Sequence, residues 1–367
     1  MNKTGFGFLR LPRCNPSDER SVDYEMLCTL VDRFLEQGGD YFDTAYTYLG
    51  GASEEALRKT LVERYPRERF RIADKLPGYA ATSQEDNRKF LEESLRRCGV
   101  EYFDVYLLHG LNEENYEIAK RFSQFPFLNA VKAEGKARKI GFSFHDTADV
   151  LDRILTEQPQ VDYVQLQINY LDWNSVSVQS RACYETAVKH GKRVLVMEPV
   201  KGGSLAQLPE QADQLLKQQR PEDSISRWAM RFATGLDAVE IVLSGMNTME
   251  QLSDNLGHME PLSSKELSIL EEAAQIIREK TAIECTACGY CIEQCPVGMP
   301  IPSYFALYNE YFRNTSELWK SQAVYASLSN ARVPATECKF CGQCENRCPQ
   351  KLKIVQWLQK VGDVLQE

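Results

Sequence analysis

Two runs of cysteine near the end of the chain are the residues with the clearest chemical potential. The chain has 367 residues and 12 cysteines, and eight of these fall into two runs with the same spacing, C-x2-C-x2-C-x3-C, each followed by proline. Thiolates at such short intervals can converge on one metal centre. We therefore predict that these residues are metal ligands and not disulfide partners. The runs are Cys285, Cys288, Cys291 and Cys295, and Cys338, Cys341, Cys344 and Cys348.

The spacing of each run resembles that of bacterial ferredoxins, which bind [4Fe–4S] clusters. Zinc sites generally use pairs of cysteines separated by a longer spacer, so zinc is the less suitable alternative. In ferredoxins with two clusters, the fourth cysteine of one run ligates the other cluster. The resemblance therefore implies that Cys348 completes the first cluster and Cys295 the second. A long helical segment separates the runs, so the module is similar to the α-helical ferredoxin domains that are fused to larger redox enzymes.

Polar side chains also stand at the ends of three successive predicted strands. Asp43 follows "YF", Lys75 follows "RIAD", and His109 follows "VYLL". Tyr48 comes shortly after Asp43, in the loop. Singly, each could be a capping, surface or packing residue. Because three of them stand at the ends of consecutive strands and Tyr48 follows the first of these strands, we predict that all four form one site.

These residues belong to a segment in which short apolar strands alternate with amphipathic helices. Eight strands, each followed by a helix, predict a (β/α)8 barrel, or TIM barrel, in which functional residues lie at the carboxyl ends of the strands. A doubly wound sheet is the alternative, but no G-x-G-x-x-G loop follows the first strand. The strand candidates are 5–12, 41–45, 70–76, 103–109, 139–145, 163–169, 193–199 and 239–245.

The strand rhythm stops at about residue 262. We therefore expect the barrel to occupy residues 1–262, and a small all-α domain with the two cysteine runs to occupy residues 263–367. The aromatic-rich stretch 301–331 is more typical of core packing in that small domain than of a substrate site.

The predicted barrel resembles the aldo/keto reductase family. The similarity rests on "DTAYTY", "SEEALRKTL", "ADKL", "YLLH", "IGFSFH", "VQLQINY" and "GMNTMEQLSDN", which occur in the family's order. It implies that Tyr48 is the general acid that protonates a carbonyl oxygen. Lys75 would lower the pKa of Tyr48, and Asp43 would hold Lys75 in place. His109 would orient the carbonyl of the substrate.

The resemblance implies an NAD(P)(H) cofactor, but its binding positions depart in part from the family pattern. Phe144 stands where the family has an asparagine, and Met197 where many members stack an aromatic ring on the nicotinamide. Two positions that often carry Lys and Arg for the 2′-phosphate of NADP are uncharged, which removes charge-assisted hydrogen bonds. NAD, NADP and a flavin therefore remain alternatives. The matching positions are Ser143, Gln165, Asn169, Met197, Gly245, Gln251 and Asn255.

The composition argues against several other classes of protein. A net charge of −9 lacks the basic footprint of a nucleic-acid binder, and no apolar run is long enough to predict a membrane span. The first residues lack the apolar core of a signal peptide. We expect a cytoplasmic enzyme with neither nucleic acid nor membrane as a partner.

Three functions fit the sequence. The preferred hypothesis is an oxidoreductase that reduces a small carbonyl or oxidises an alcohol, with the clusters carrying electrons to or from ferredoxin or another redox protein. Nicotinamide moves two electrons as hydride and each cluster moves one, so direct exchange would need a converter such as a flavin. The alternatives are an NAD(P)H-dependent reductase whose clusters are structural or redox-sensing, and an electron-transfer protein with an altered barrel. Substrate contacts are expected from loops 111–130 and 201–222 and from the C-terminal segment.

Overall fold

The computed structural model describes residues 3–15, 18, 20–176, 178–257, 259–313, 315 and 318–366. The chain forms two compact units. The first takes the described residues within 1–175, 179–199 and 226–263, and the second takes those within 176–178, 200–225 and 264–366.

The strands of the first unit form a closed parallel barrel in chain order, with β8 paired to β1. This confirms the predicted TIM barrel, and each predicted strand overlaps an observed one. The strands are β1 (Thr4–Gly7), β2 (Tyr41–Asp43), β3 (Arg71–Leu76), β4 (Phe103–Leu111), β5 (Ala137–Phe144), β6 (Tyr163–Gln167), β7 (Arg193–Met197) and β8 (Val239–Ser244).

The helices of both units follow the periodic apolar patterns of the sequence. Several begin at a capping side chain: Asp23 accepts a hydrogen bond from the backbone N–H of Met26, and Asn112 accepts one from that of Asn115. The helices are α1 (Tyr24–Glu36), α2 (Ala52–Leu57), α3 (Glu85–Cys98), α4 (Glu113–Arg121), α5 (Gln124–Ala133), α6 (Ala148–Glu157), α7 (Ser180–Lys189), α8 (Glu210–Gln219), α9 (Ile225–Thr234), α10 (Met249–Leu256), α11 (Ser264–Glu279), α12 (Tyr290–Glu293), α13 (Ile301–Arg313), α14 (Leu318–Ala331), α15 (Gln343–Asn346) and α16 (Ile354–Leu365).

Alternation along the strands fills the interior of the barrel. Successive strand residues point to opposite faces, and one face of the barrel strands supplies a buried cluster of apolar side chains. This packed interior leaves only the strand ends for polar residues. The cluster contains Tyr41, Ala73, Val105, Leu107, Tyr163, Leu195, Ile241 and Leu243.

The second unit is built from α8 and α11–α16, around a core of its own. Tyr304 and Phe305 of α13, Tyr325 of α14, and Leu358 of α16 are buried in this core. Trp319, by contrast, is 66% exposed. The aromatic stretch 301–331 therefore contributes to packing mainly through α13, and its residues 314, 316 and 317 lie outside the described residues. Among the described residues, no helix is both long and apolar enough to cross a membrane.

Candidate active site and cysteine cavities

At the carboxyl ends of β2 and β3, the side chains that point into the barrel are polar instead of apolar. Asp43 comes two positions after the interior residue Tyr41, and Lys75 comes two after Ala73, so both continue the inward-facing rows. Lys75 Nζ lies 2.5 Å from Asp43 Oδ1 and donates a second hydrogen bond to the carbonyl of Thr44 at 2.8 Å. The barrel therefore holds a buried ion pair at this end.

Tyr48 and His109 join this ion pair. Tyr48 Oη lies 3.3 Å from Lys75 Nζ, and the Tyr48 ring meets that of His109 edge-on with 5.6 Å between their centroids. Tyr48 begins a single helical turn that continues through Leu49 and Gly50 with positive φ angles of 53° and 60°. This left-handed backbone turns the loop back toward the strand ends. The four residues predicted as a site are thus brought together.

Burial shapes the electrostatics of this group. It raises the pKa of Tyr48 well above its usual value, and the negative charge of Asp43 raises it further, while Arg10 opposes both. This direction is opposite to the lowering that we expected from Lys75. Burial is the main reason for the difference, because it disfavours the charged phenolate, and the charge of Asp43 adds to its effect. Tyr48 is therefore protonated at neutral pH.

Two of the predicted cofactor residues lie beside this group, at the ends of the next strands. Gln165 of β6 donates a hydrogen bond from Nε2 to Asp43 Oδ2 at 3.2 Å. Ser143 of β5 accepts one at Oγ from the backbone N–H of Gly110 at 2.8 Å. Both side chains are buried. They are fixed in place at the same end of the barrel as Tyr48.

Asn169 belongs to a buried polar network in the loop after β6. Its Nδ2 donates to Asp172 Oδ2 at 2.8 Å, and the backbone N–H of Asp172 donates to Asn169 Oδ1 at 2.8 Å. Gln167 Nε2 donates to the same carboxylate at 2.8 Å. The Asn169 amide therefore has a role in shaping this loop.

Met197, which ends β7, is partly buried.

The remaining predicted cofactor positions surround the end of β8. Asn255 Nδ2 donates to Ser244 Oγ at 3.0 Å, and Gln251 Oε1 accepts from the backbone N–H of Asn247 at 2.8 Å. Gly245 is covered by Arg10, since a Cβ added to this glycine would lie 3.2 Å from Arg10 Cβ.

Arg10, which the sequence analysis did not single out, lies next to the predicted cofactor position Gly245. The first strand was predicted to run through residue 12, which placed Arg10 inside it. The observed strand ends at Gly7, so Arg10 lies in the loop at the end of the barrel that carries Tyr48. The arginine supplies a positive charge next to Gly245.

Two buried carboxyl groups lie next to each other on the opposite side of β3. Asp74, Glu54 of α2 and Cys98 of α3 are all buried, with side-chain ligand atoms within 4.8 Å of one another. Glu54 also accepts a hydrogen bond from Arg97 at 2.9 Å. Burial, together with the charge of Glu54, raises the pKa of Asp74 well above its usual value. Asp74 therefore holds its proton to a higher pH than an exposed carboxyl group does, and we assign no metal site to this cluster.

Replacement of Asp74 by asparagine is expected to flatten the pH dependence of stability. An acid whose pKa is raised by folding binds its proton more tightly in the folded state, so the free energy of unfolding falls as the pH rises from the unfolded pKa toward the folded one. One such proton contributes at most about 1.4 kcal/mol per pH unit. Asparagine preserves the shape and the hydrogen bond that Asp74 Oδ1 accepts from the backbone N–H of Lys75 at 2.6 Å.

Urea unfolding between about pH 5 and about pH 9 measures this effect. The exposed Asp363 gives a matched control, and Asp363→Asn should keep the wild-type slope. A wild-type slope in Asp74→Asn would show that Asp74 does not hold the proton.

In the second unit, the eight cysteines of the two runs line two cavities, four to each. Each cavity takes three cysteines from one run and the last cysteine from the other. The first cavity is lined by Cys285, Cys288, Cys291 and Cys348. The second is lined by Cys338, Cys341, Cys344 and Cys295.

The two runs have matching backbone conformations. Ala287 and Phe340, each directly before the second cysteine of its run, have φ angles of 53° and 54°. Gly289 and Gly342, directly after that cysteine, have φ angles of 85° and 71° and precede the short helices α12 and α15. Left-handed residues curl a backbone and aim its N–H groups inward. In the first run, the Ala287 N–H lies 3.4 Å from Cys285 Sγ.

The surroundings of both cavities are apolar and disfavour thiolates that are not bound to a positive centre. Apolar side chains such as Phe305 and Ile354 line the first cavity, and Met299 and Leu358 line the second. Burial raises the pKa of the Cys344 thiol to about 11. A cationic centre would offset this penalty, because metal binding releases the thiol protons.

Comparison with known proteins identifies both parts of the chain. Residues 5–275 match the sequence model of the aldo/keto reductase family, and residues 284–352 match that of a 4Fe-4S dicluster domain. The chain therefore belongs to the aldo/keto reductase family, as the sequence motifs had indicated, and is an oxidoreductase that carries an iron–sulfur domain.

Curated relatives share the barrel segment at low identity. An aldo-keto reductase from Mycobacterium avium (strain 104) is 24% identical over 254 residues, covering 67% of this chain and 81% of the relative. The NADH-specific methylglyoxal reductase of Escherichia coli (strain K12) is 24% identical over 297 residues, covering 67% of this chain and 88% of the relative.

Solved structures share the fold. The holo form of an aldo-keto reductase from Bacillus halodurans has a TM-score of 0.58 and 23% identity, covering 74% of this chain and 91% of that one. An aldo/keto reductase from Klebsiella pneumoniae, in complex with NADP and acetate, has a TM-score of 0.57 and 18% identity, covering 74% and 90%.

Proposed function

We propose that the chain reduces a small carbonyl compound, or oxidises the corresponding alcohol, with Tyr48 as general acid and base and with electrons supplied through two [4Fe–4S] clusters. The observation that carries the barrel part is the contact chain from Asp43 Oδ1 through Lys75 Nζ to Tyr48 Oη, with distances of 2.5 and 3.3 Å. It combines a proton donor with a fixed positive charge at the end of the barrel where reactions occur.

In the reductive direction, the protein's own residues would manage the proton. The hydride would come from a single two-electron donor bound in the barrel, either a nicotinamide or a flavin that has collected two single electrons from the clusters. The hydroxyl of Tyr48 would give its proton to the carbonyl oxygen, so that the carbonyl gains two electrons and two hydrogens in total. The phenolate left on Tyr48 would be stabilised by the Lys75 ammonium, and the His109 ring beside it would orient the carbonyl.

Tyr48 carries the proton that carbonyl reduction needs, because a phenol is protonated at neutral pH even at its ordinary pKa. Its raised pKa makes it a weaker acid, and the Lys75 ammonium next to it would offset this by stabilising the phenolate. A phenol that keeps its proton at neutral pH is in the form that carbonyl reduction requires, whereas alcohol oxidation requires the phenolate.

For turnover driven by NAD(P)H we propose that the barrel binds NAD(P)(H), whereas turnover driven by ferredoxin would use the flavin considered below. The buried Gln165 and Ser143 beside the Asp43–Lys75 pair support this proposal, together with the NADP held by the Klebsiella pneumoniae relative. Arg10 offers a cation near Gly245 for the anionic part of the cofactor. Met197, Gln251 and Asn255, with Asn169, complete the proposed cofactor positions.

For the residues 263–367 we propose an α-helical domain that holds two [4Fe–4S] clusters with exchanged fourth ligands. The lining of the two cavities supports the ligand sets Cys285, Cys288, Cys291 and Cys348, and Cys338, Cys341, Cys344 and Cys295. A reducing cytoplasm would keep these thiols available. Ferredoxin or another redox protein is the proposed partner, because clusters of this kind exchange single electrons.

Carbonyl reduction needs two electrons at once, whereas each cluster transfers one electron, so the proposed function needs a carrier between them. Reduction of a carbonyl takes two electrons, which two clusters can supply together but only one at a time. The barrel would then need a carrier that accepts electrons singly and releases them as a pair, which is the chemistry of a flavin. An absorbance spectrum of the protein after cluster removal, with flavin extraction, would test for this carrier.

Removal of the clusters is expected to abolish carbonyl reduction driven by reduced ferredoxin, because we place the clusters on the path of these electrons. The substrate used would be methylglyoxal, the small dicarbonyl compound that appears in the name of the Escherichia coli relative. Activity would be measured before and after anaerobic chelation of iron, with circular dichroism as the control for folding. A folded, cluster-free protein with full NAD(P)H-dependent activity would instead favour a reductase whose clusters are structural or redox-sensing.

A further inference from the structure

A buried lysine lies beside the first cysteine cavity. Lys201 follows β7 in the chain, belongs to the second unit, and has only 2% of its side chain exposed. Its Nζ donates a hydrogen bond to Gln350 Oε1 at 3.3 Å and lies 3.9 Å from Glu284 Oε2. Glu284 directly precedes Cys285, and Gln350 follows Cys348 by two positions. The ammonium group therefore contacts both segments that supply cysteines to this cavity.

The backbone of the same loop fixes this placement. Lys201 and Gly202 have φ angles of 46° and 67°, in the left-handed region that a lysine rarely adopts. A Cβ added to Gly202 would lie 2.1 Å from the carbonyl oxygen of Thr286, so only glycine permits this close approach. Thr286 and Gln350 are buried and line the first cavity. The loop is thus packed directly on the wall of that cavity.

The second cavity has a different electrostatic setting. Lys339 lines it, but the side chain of this lysine is 56% exposed and lies 3.5 Å from the equally exposed Glu337. Solvent screens exposed charges, whereas a charge in the protein interior acts on its neighbours through a lower effective dielectric constant. Lys201 should therefore influence a group in the first cavity more strongly than Lys339 influences one in the second.

We propose that Lys201 raises the reduction potential of the [4Fe–4S] cluster in the first cavity and that Glu284 lowers it. This inference rests on the proposed ligand set of that cavity. A reduced cluster carries one more negative charge than the oxidised cluster, so a nearby ammonium stabilises it and a carboxylate destabilises it. Lys201 is a positioning residue that acts through its charge, and it is not a ligand.

Redox titration of the purified holoprotein, followed by EPR, tests this inference. Lys201→Met is expected to lower one of the two midpoint potentials by at least about 59 mV. For a one-electron couple this shift is a tenfold change in the equilibrium constant for reduction. Glu284→Gln is expected to raise the same midpoint, and Lys201→Arg to keep it near the wild-type value. Lys339→Met is the matched control, and it should shift the midpoint potential of the second cluster by less than Lys201→Met shifts that of the first.

The opposite signs separate a charge effect from loosened packing. Unchanged midpoints in a Lys201→Met protein with full iron content would overturn the inference, as would shifts of the same sign in Lys201→Met and Glu284→Gln. If Lys201→Met fails to retain iron, Glu284→Gln decides, and an unchanged or lowered midpoint in that variant overturns the inference. A wild-type protein without iron would contradict the proposed function itself.

Discussion

Replacement of Tyr48 by phenylalanine is expected to lower kcat for carbonyl reduction by about 100- to 10,000-fold, the range that general acid catalysis contributes. Phenylalanine retains the ring that packs against His109 but has no proton to give to the carbonyl oxygen. The Asp43–Lys75 ion pair does not include the Tyr48 hydroxyl, so the fold should persist. Steady-state reduction of methylglyoxal, with circular dichroism of the same samples, measures the effect.

Tyr46→Phe is the matched control for this experiment. Tyr46 belongs to the same loop but packs against Phe90 and Arg97, with 5.1 Å between the two ring centroids. Its hydroxyl should not matter for turnover, so kcat should stay close to that of the wild type. Full activity in Tyr48→Phe would show that another group protonates the carbonyl.

Pairs of cysteine substitutions should reveal whether the fourth cysteine of each run binds the cluster of its own run or that of the other run. With exchanged ligands, the double variant Cys288→Ala and Cys348→Ala damages only the first cluster, so about four of the eight iron atoms expected for two clusters should remain. The double variant Cys288→Ala and Cys295→Ala removes one ligand from each cluster, so iron should fall well below that level. Iron and acid-labile sulfide analysis after anaerobic purification measures the difference.

If each run instead supplied all four ligands of its own cluster, the two double variants would show the opposite order of iron content. If each run held its own cluster, Cys288→Ala with Cys295→Ala would keep half of the iron, and Cys288→Ala with Cys348→Ala would lose more. Cys14, an exposed cysteine outside the runs, provides the control, and Cys14→Ala should retain all of the iron. A protein that contains zinc and no iron would contradict both assignments.

The barrel could be predicted from the sequence because its strands alternate regularly with helices. The same regularity located Asp43, Lys75 and His109, since inward-facing rows along parallel strands become polar only where the strands end. Arg10 was missed because the apolar pattern continues beyond the end of β1. The raised pKa of Tyr48 could not be predicted either, because it depends on burial and on the nearby charge of Asp43.

The cysteine runs were recognisable because their ligand spacing is local in the sequence. The contribution of Lys201 to the first cavity was not recognisable, because this residue is distant in sequence from both runs. Its position depends on a glycine that lets two backbones touch, at Gly202 and Thr286. Contacts of this kind leave little trace in the composition or periodicity of a single sequence.

The most direct test of the proposed function is carbonyl reduction driven by ferredoxin alone. Methylglyoxal would be incubated anaerobically with the holoprotein and dithionite-reduced ferredoxin, without NAD(P)H, and the alcohol product would be quantified. We predict product formation by the wild type and by Tyr46→Phe, and its loss in Tyr48→Phe and in cluster-free protein. The absence of product in a preparation that reduces methylglyoxal with NAD(P)H would contradict the account, because the clusters would then supply no electrons to the barrel.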